Sequence, residues 1–191
     1  MARTARRKTA AKGKGRSVTK KSSTKKSSTK RIAKRKAAPA RAAKPKAPAR
    51  PSAEWLDLGD GLKAYYARPA GRGPFPAVLV YIDAFGVNAH FKRLAMRLAR
   101  EGFCAIVPDL YDGLVVEYAN IDAAIAKLRS LNDDQVMARS QRTINALMAR
   151  SEVRKGKIGV TGFCMGGRYV FLANAVLADR IGAAVSFYGG G

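Results

Sequence analysis

The first acidic residue in this chain is Glu54. Ahead of it, residues 1–53 hold 20 Lys and Arg and no carboxylate. Residues 54–191 hold the other 17 Lys and Arg and all 13 Asp and Glu. The formal net charge of +24 therefore divides into +20 on the first segment and +4 on the second. Like charges at the density of the first segment repel one another and oppose compaction. That segment also has almost nothing to bury, since Val18 and Ile32 are its only large aliphatics after Met1. Such a composition cannot offset the entropy of ordering its backbone, and self-repulsion extends it. Residues 1–53 are therefore expected to be a disordered basic tail, and residues 54–191 a single globular domain.

The tail contains a tandem repeat, Lys20-Lys21-Ser22-Ser23-Thr24 followed by Lys25-Lys26-Ser27-Ser28-Thr29. Lys30, Arg31, Lys34, Arg35 and Lys36 continue the charge, and a Pro-Ala-Lys stretch runs from Ala38 to Pro51. Each phosphate that such residues neutralise releases condensed counterions, which gives affinity without sequence readout. With no aromatic to stack on bases, the tail is not built for single strands or specific sequences. Non-specific association with nucleic acid through Lys20, Lys21, Lys25, Lys26, Lys30, Arg31, Lys34, Arg35 and Lys36 is the expected role. The composition is similar to the lysine-rich tails of linker-histone-like proteins, which implies nucleoid or chromatin association. An organelle transit peptide and a passive solubilising extension are the alternatives.

The rest of the composition narrows the function classes. No apolar run is long enough to span a bilayer, and the first 53 residues contain no signal-peptide core, so no membrane partner is expected. Cys104 and Cys164 both lie in apolar segments, which argues for a reducing, cytoplasmic setting rather than a disulfide framework. One His and two Cys cannot build a zinc cage, so no metal or other cofactor is expected.

From Trp55 onward the pattern becomes regular. Trp55–Leu58 and Leu62–Arg68 flank Gly59-Asp60-Gly61 and predict a hairpin. The apolar run Ala77–Ile82 suits a buried parallel strand. Helical spacing follows over Ala89–Arg100, then a strand over Phe103–Val107. Two helices are predicted over Ile121–Leu131 and Asp134–Met148, a strand over Lys157–Thr161, a helix over Cys164–Leu177 and a strand over Ile181–Tyr188. This order predicts an α/β sheet with an N-terminal hairpin, a parallel core and helices on both faces. Ligands in such sheets bind at the carboxyl ends of the strands. Asp83–Asn88, Pro108–Gly113 and Gly162–Gly167 fall there.

The sharpest motif is Gly162-Phe163-Cys164-Met165-Gly166-Gly167, placed between a strand and a helix. Gly-x-Cys-x-Gly-Gly is the cysteine form of a nucleophile elbow. The turn is so tight that side chains at Gly162 and Gly166 would collide. Cys164 then stands at a helix start, where the dipole favours a thiolate, and the Met165 N–H is placed to donate to an oxyanion. A buried structural cysteine in a Gly-rich turn is the plainer alternative, and a dinucleotide turn is excluded by the missing Gly-x-Gly-x-x-Gly order.

With these residues in view, the body resembles the dienelactone hydrolase family, α/β-hydrolases with a cysteine nucleophile. The resemblance is carried by Ala77–Val80 leading to Asp83-Ala84-Phe85-Gly86-Val87-Asn88, by Pro108-Asp109-Leu110-Tyr111, by Gly162–Gly167 and by Phe187-Tyr188-Gly189, in the family's order. It implies that Cys164 attacks the carbonyl of an ester or lactone. It also implies an oxyanion hole made by the N–H groups of Met165 and Ala84, with Gly162, Gly166 and Gly167 shaping the elbow. The family's acid before the Phe-Gly turn is a Glu that interacts with the thiol; here it is Asp83, one methylene shorter. Members selective for the dienelactone carry an Arg shortly after Pro-Asp-Leu-Tyr, where this chain has Asp112-Gly113.

The α/β-hydrolase triad runs nucleophile, acid, His along the chain. Beyond Cys164 there is no His, and Asp179 is the one acid. The single histidine, His90, matches no catalytic position of the family and reads as a helix-start surface residue. The sheet is accordingly expected to stop after Ile181–Tyr188, leaving an apolar edge. The chain is then an incomplete copy of a longer ester or lactone hydrolase that lacks the catalytic Asp and His. The alternative is a catalytically inactive hydrolase scaffold acting as a DNA-associated binding protein.

Overall fold

A computed structural model describes residues 50–190. Residues 1–49 of the tail, with the expected nucleic-acid residues Lys20 to Lys36, lie outside the described residues. Within them, six strands form one mixed sheet in the order β1-β2-β4-β3-β5-β6. The strands are β1 (Ser52–Asp57), β2 (Lys63–Arg68), β3 (Ala77–Tyr81), β4 (Cys104–Pro108), β5 (Ile158–Phe163) and β6 (Ile181–Phe187). The helices are α1 (Ala89–Arg100), α2 (Ile121–Arg129), α3 (Asp133–Ala149) and α4 (Met165–Val176). Every element expected from residue 54 onward is present, and the architecture is α/β-hydrolase-like.

β1 begins two residues inside the segment assigned to the tail. Ser52 and Ala53 pair with Arg68 and Ala67, because ladder hydrogen bonds need backbone and not apolar side chains. β1 and β2 form the expected antiparallel hairpin. Its turn takes positive φ at Gly59, Asp60 and Gly61. Arg142 of α3 holds that turn by donating to the carbonyls of Leu58 and Gly59, both at 2.8 Å. β5 continues two residues past its expected end, where Gly162 and Phe163 pair with Ser186 and Phe187 of β6.

β3, β4, β5 and β6 run parallel. All five residues of β4 are buried, since α1 covers one face and α3 the other. α4 packs on the same face as α3, against β3, β5 and β6. α1 and α3 start where a side chain can satisfy free N–H groups. Asn88 caps α1 through His90 N–H at 2.9 Å, and Asn132 caps α3 through Gln135 N–H at 3.0 Å. β6 is the outer strand, with Val185 and Phe187 about half exposed.

Candidate active site

α4 departs from this capping pattern. The residue before it is Cys164, with φ 55° and ψ −121° and no side-chain cap. A residue with a Cβ adopts that conformation only under strain. The surrounding glycines make the turn possible. A Cβ at Gly162 would run into the Gly166 carbonyl, and one at Gly166 would stand 2.5 Å from the Ile82 oxygen and 2.6 Å from that of Tyr81. Gly167 sits equally close to the end of β6, where a Cβ would meet the Phe187 oxygen at 2.7 Å. The Cys164 N–H donates to that same Phe187 oxygen at 3.1 Å. The backbone is thus held on both sides, and the thiol is exposed. This removes the reading of Cys164 as a buried structural cysteine. Cys104 is the one that fits that description: it is buried, burial pushes its thiol up, and the Tyr66 hydroxyl lies 3.2 Å from its sulfur.

Sheet register places the second loop beside the elbow. Tyr81 of β3 pairs with Gly162 of β5, so the chain leaving β3 and the chain leaving β5 emerge side by side. Ala84 is buried in the first of these loops, and Met165 is buried as the first residue of α4. Among the described residues, neither backbone N–H has a protein acceptor. Gly86 is required in the same loop, because it has φ +83° and a Cβ there would strike the Leu114 carbonyl.

Asp83 does not reach the thiol. Its Oδ1 accepts the Phe85 N–H at 2.9 Å, which folds the shorter side chain back on its own loop, and no hydrogen bond joins it to Cys164. Burial pushes its carboxyl up, against the opposing pull of the Phe85 N–H and of nearby His90. His90 is exposed at the start of α1, as expected, but it faces the site more closely than the sequence suggested. Its ring lies 6.3 Å from that of Phe163, the residue before Cys164.

Other residues reach the site without having been assigned a role there. Tyr111, the last residue of the Pro-Asp-Leu-Tyr stretch, is buried with its hydroxyl 3.7 Å from Met165 Sδ. Burial raises its pKa, and the charges of Asp83, Tyr169 and Cys164 add to the rise. Asp109 holds this turn, accepting from the N–H groups of Tyr111 at 3.0 Å and Gly113 at 2.7 Å. A cavity of about 480 Å³ opens at Cys164, lined also by Arg129, Arg168, Tyr169 and Tyr188. Arg168 is committed to a bidentate pair with Asp133, at 2.8 and 2.7 Å. Arg129 has no ion pair among the described residues. Only the tyrosine had a sequence signal, since the arginines come from helices whose spacing says nothing about the cavity. No cluster of three potential metal-ligating side chains occurs among the described residues, and none of their helices is long and apolar enough to cross a membrane.

A strained, exposed cysteine at a helix start, beside two unclaimed N–H groups on a mixed α/β sheet, defines an α/β-hydrolase-type elbow. The model of the dienelactone hydrolase family matches residues 62–191, and the chain belongs to that family. A curated protein of Methylorubrum extorquens named "Putative carboxymethylenebutenolidase" is 36% identical over 138 residues, covering 70% of this chain and 47% of that protein. One of the same name from Yersinia pestis is 37% identical over 135 residues, covering 69% and 50%. Among solved structures, a dienelactone hydrolase-like promiscuous phosphotriesterase from metagenomic libraries superposes with a TM-score of 0.63 at 32% identity, covering 74% of this chain and 60% of that one. The chain spans about half the length of the curated relatives it matches.

Proposed function

We propose that residues 54–191 carry the nucleophile and oxyanion hole of a thiol-dependent ester or lactone hydrolase. The observation that supports this most directly is the conformation of Cys164, strained and exposed beside the unclaimed N–H groups of Met165 and Ala84. In this reading the Cys164 thiolate attacks the substrate carbonyl, and the two N–H groups receive the developing oxyanion. Collapse of the tetrahedral intermediate breaks the C–O bond, releases an alkoxide and leaves a thioester, which water hydrolyses. The alkoxide needs a proton. Water supplies it within this chain, since Asp83 is folded back on its own loop by the Phe85 N–H. A lactone is the preferred substrate class because the relatives are named for lactone cleavage.

The test is hydrolysis of a small activated ester and of an unsaturated lactone by the chain and by Cys164→Ala. Loss of turnover with retained folding supports the assignment; undiminished turnover in Cys164→Ala overturns it.

The tail is assigned to non-specific binding of nucleic acid, on the strength of its +20 charge without a single acid. Duplex DNA affinity that falls steeply with salt, and that drops when Lys20, Lys21, Lys25 and Lys26 become Gln, is the expected result. DNA binding with neither hydrolysis nor thiol alkylation at Cys164 would favour the inactive-scaffold alternative.

A further inference from the structure

Helix α1 carries a face that hydrolysis does not use. Between Ala89 and Arg100 it holds Lys92, Arg93, Arg97 and Arg100 and no acid; Glu101 follows at its end. Four basic residues against one carboxylate account for most of the +4 on residues 54–191. Arg93, Arg97 and Arg100 stand at i, i+4 and i+7, so they form a single stripe, about 10 Å long at the helical rise of about 1.5 Å per residue. Phe91, Ala95 and Ala99 on the opposite side are buried, which turns the stripe to solvent. Lys92 flanks it, with Nζ 5.4 Å from the Trp55 ring and 5.9 Å from that of Tyr65. Between α1 and the hairpin runs a groove of about 420 Å³, lined by Tyr65, Lys92, Arg93, Met96, Arg97 and Arg100.

None of the four cations has an ion pair among the described residues. Helix α3 shows the contrast: its Arg139 and Arg142 pair with Asp112 and Asp60 at 2.8 and 3.0 Å. Charges that serve only solubility are mixed in sign and relieve one another, and three unpaired arginines on one stripe repel instead. A regular polyanion removes that cost. One strand of a nucleic-acid duplex presents a phosphate about every 3.4 Å along the axis, so the stripe runs past about three of them. Its guanidinium groups can each fork onto phosphate oxygens.

We propose that the α1 face is a second nucleic-acid contact, docking the folded body on the phosphate backbone of a duplex. It is carried by the folded body and does not depend on the reading of the tail. Trp55, the only tryptophan of the chain, is partly exposed with the groove residue Lys92 over its ring, so its emission reports on this face through Lys92. The experiment titrates the full chain with a duplex DNA of about 20 base pairs at several salt concentrations. It follows Trp55 emission alongside affinity and repeats both with Arg93→Gln/Arg97→Gln/Arg100→Gln.

The expected result is a Trp55 signal on DNA binding that the triple variant loses. The slope of log K against log salt should shrink by about 2 to 3, near 0.9 for each lost phosphate contact. Circular dichroism and an unchanged urea midpoint verify that the variant is folded. An unchanged slope, or DNA binding that leaves Trp55 silent, overturns the proposal. So does a Trp55 response to phosphatidylserine-containing vesicles in place of DNA. The tail substitutions at Lys20, Lys21, Lys25 and Lys26 are scored separately. A body contact without a tail contact, or the reverse, is therefore distinguishable.

Discussion

Replacing Cys164 by glycine should make this protein more stable. Cys164 sits at φ 55°, ψ −121°, a conformation that costs a residue with a Cβ about 1–3 kcal/mol. Its thiol is exposed and makes no hydrogen bond among the described residues, so removing it sacrifices little. Glycine takes the same dihedrals without penalty but adds about 0.5–1 kcal/mol of unfolded-state entropy. The balance for Cys164→Gly is a gain of about 0.5–2 kcal/mol. At a urea m-value of about 2 kcal/mol/M, the midpoint rises by about 0.3–1 M. Cys164→Ala is the control, because it removes the sulfur and keeps the strained Cβ. It should unfold within about 0.5 kcal/mol of the parent. The assay is equilibrium urea unfolding of all three proteins by circular dichroism. A glycine variant no more stable than the alanine variant would refute the reasoning, because the two differ only in the methyl group that carries the strain.

Gly166→Ala should cost about 1–3 kcal/mol and slow alkylation of Cys164 by iodoacetamide, since the new Cβ meets the carbonyls of Ile82 and Tyr81; urea unfolding and mass spectrometry check both. Tyr66→Phe should cost about 1–2 kcal/mol in urea unfolding, because the buried hydroxyl donates to Glu152 at 3.1 Å, beneath the Arg150 guanidinium and against Cys104. Arg168 holds the Asp133 carboxyl below its usual range. The pair therefore adds stability above the ordinary carboxylate pKa of about 3.9 and loses it as pH falls through the lowered value. Asp133→Asn should cost about 1 kcal/mol or less at pH 7, since both side chains are partly exposed. Unfolding at a series of pH values should show that cost vanish at the acid end. Arg129→Gln should raise KM for a carboxylate-bearing lactone several-fold and leave that for a neutral ester unchanged, as read from steady-state kinetics.

Much of the fold could be read from local pattern. The helix at Ala89–Arg100 was legible to the residue, because apolar positions recur there at helical spacing; its cap at Asn88 came only from the structure. The end of β5 was not, since Gly162 and Phe163 are extended only through their partners on β6, a long-range pairing. The elbow was legible because three glycines around one cysteine have no common purpose except a forbidden turn. What Asp83 does was not legible. Residue type announces a carboxyl, but an N–H two residues on decides where it points. Arg129 escaped for the same reason, since its nearness to Cys164 is a property of packed helices rather than of spacing along the chain.

The pairing of Tyr81 with Gly162 has a further consequence. Both proposed oxyanion donors are main-chain groups, and their separation is set by how two neighbouring strands are aligned, a few residues upstream of each. No side chain has to be kept for the hole to exist. The surrounding sequence is therefore free to diverge, and a serine could take the place of the cysteine, without the anion-receiving geometry being rebuilt. Inserting or deleting a single residue in β3 or β5, which looks harmless beside an active-site substitution, would pull the two donors out of alignment and should be the less tolerated change.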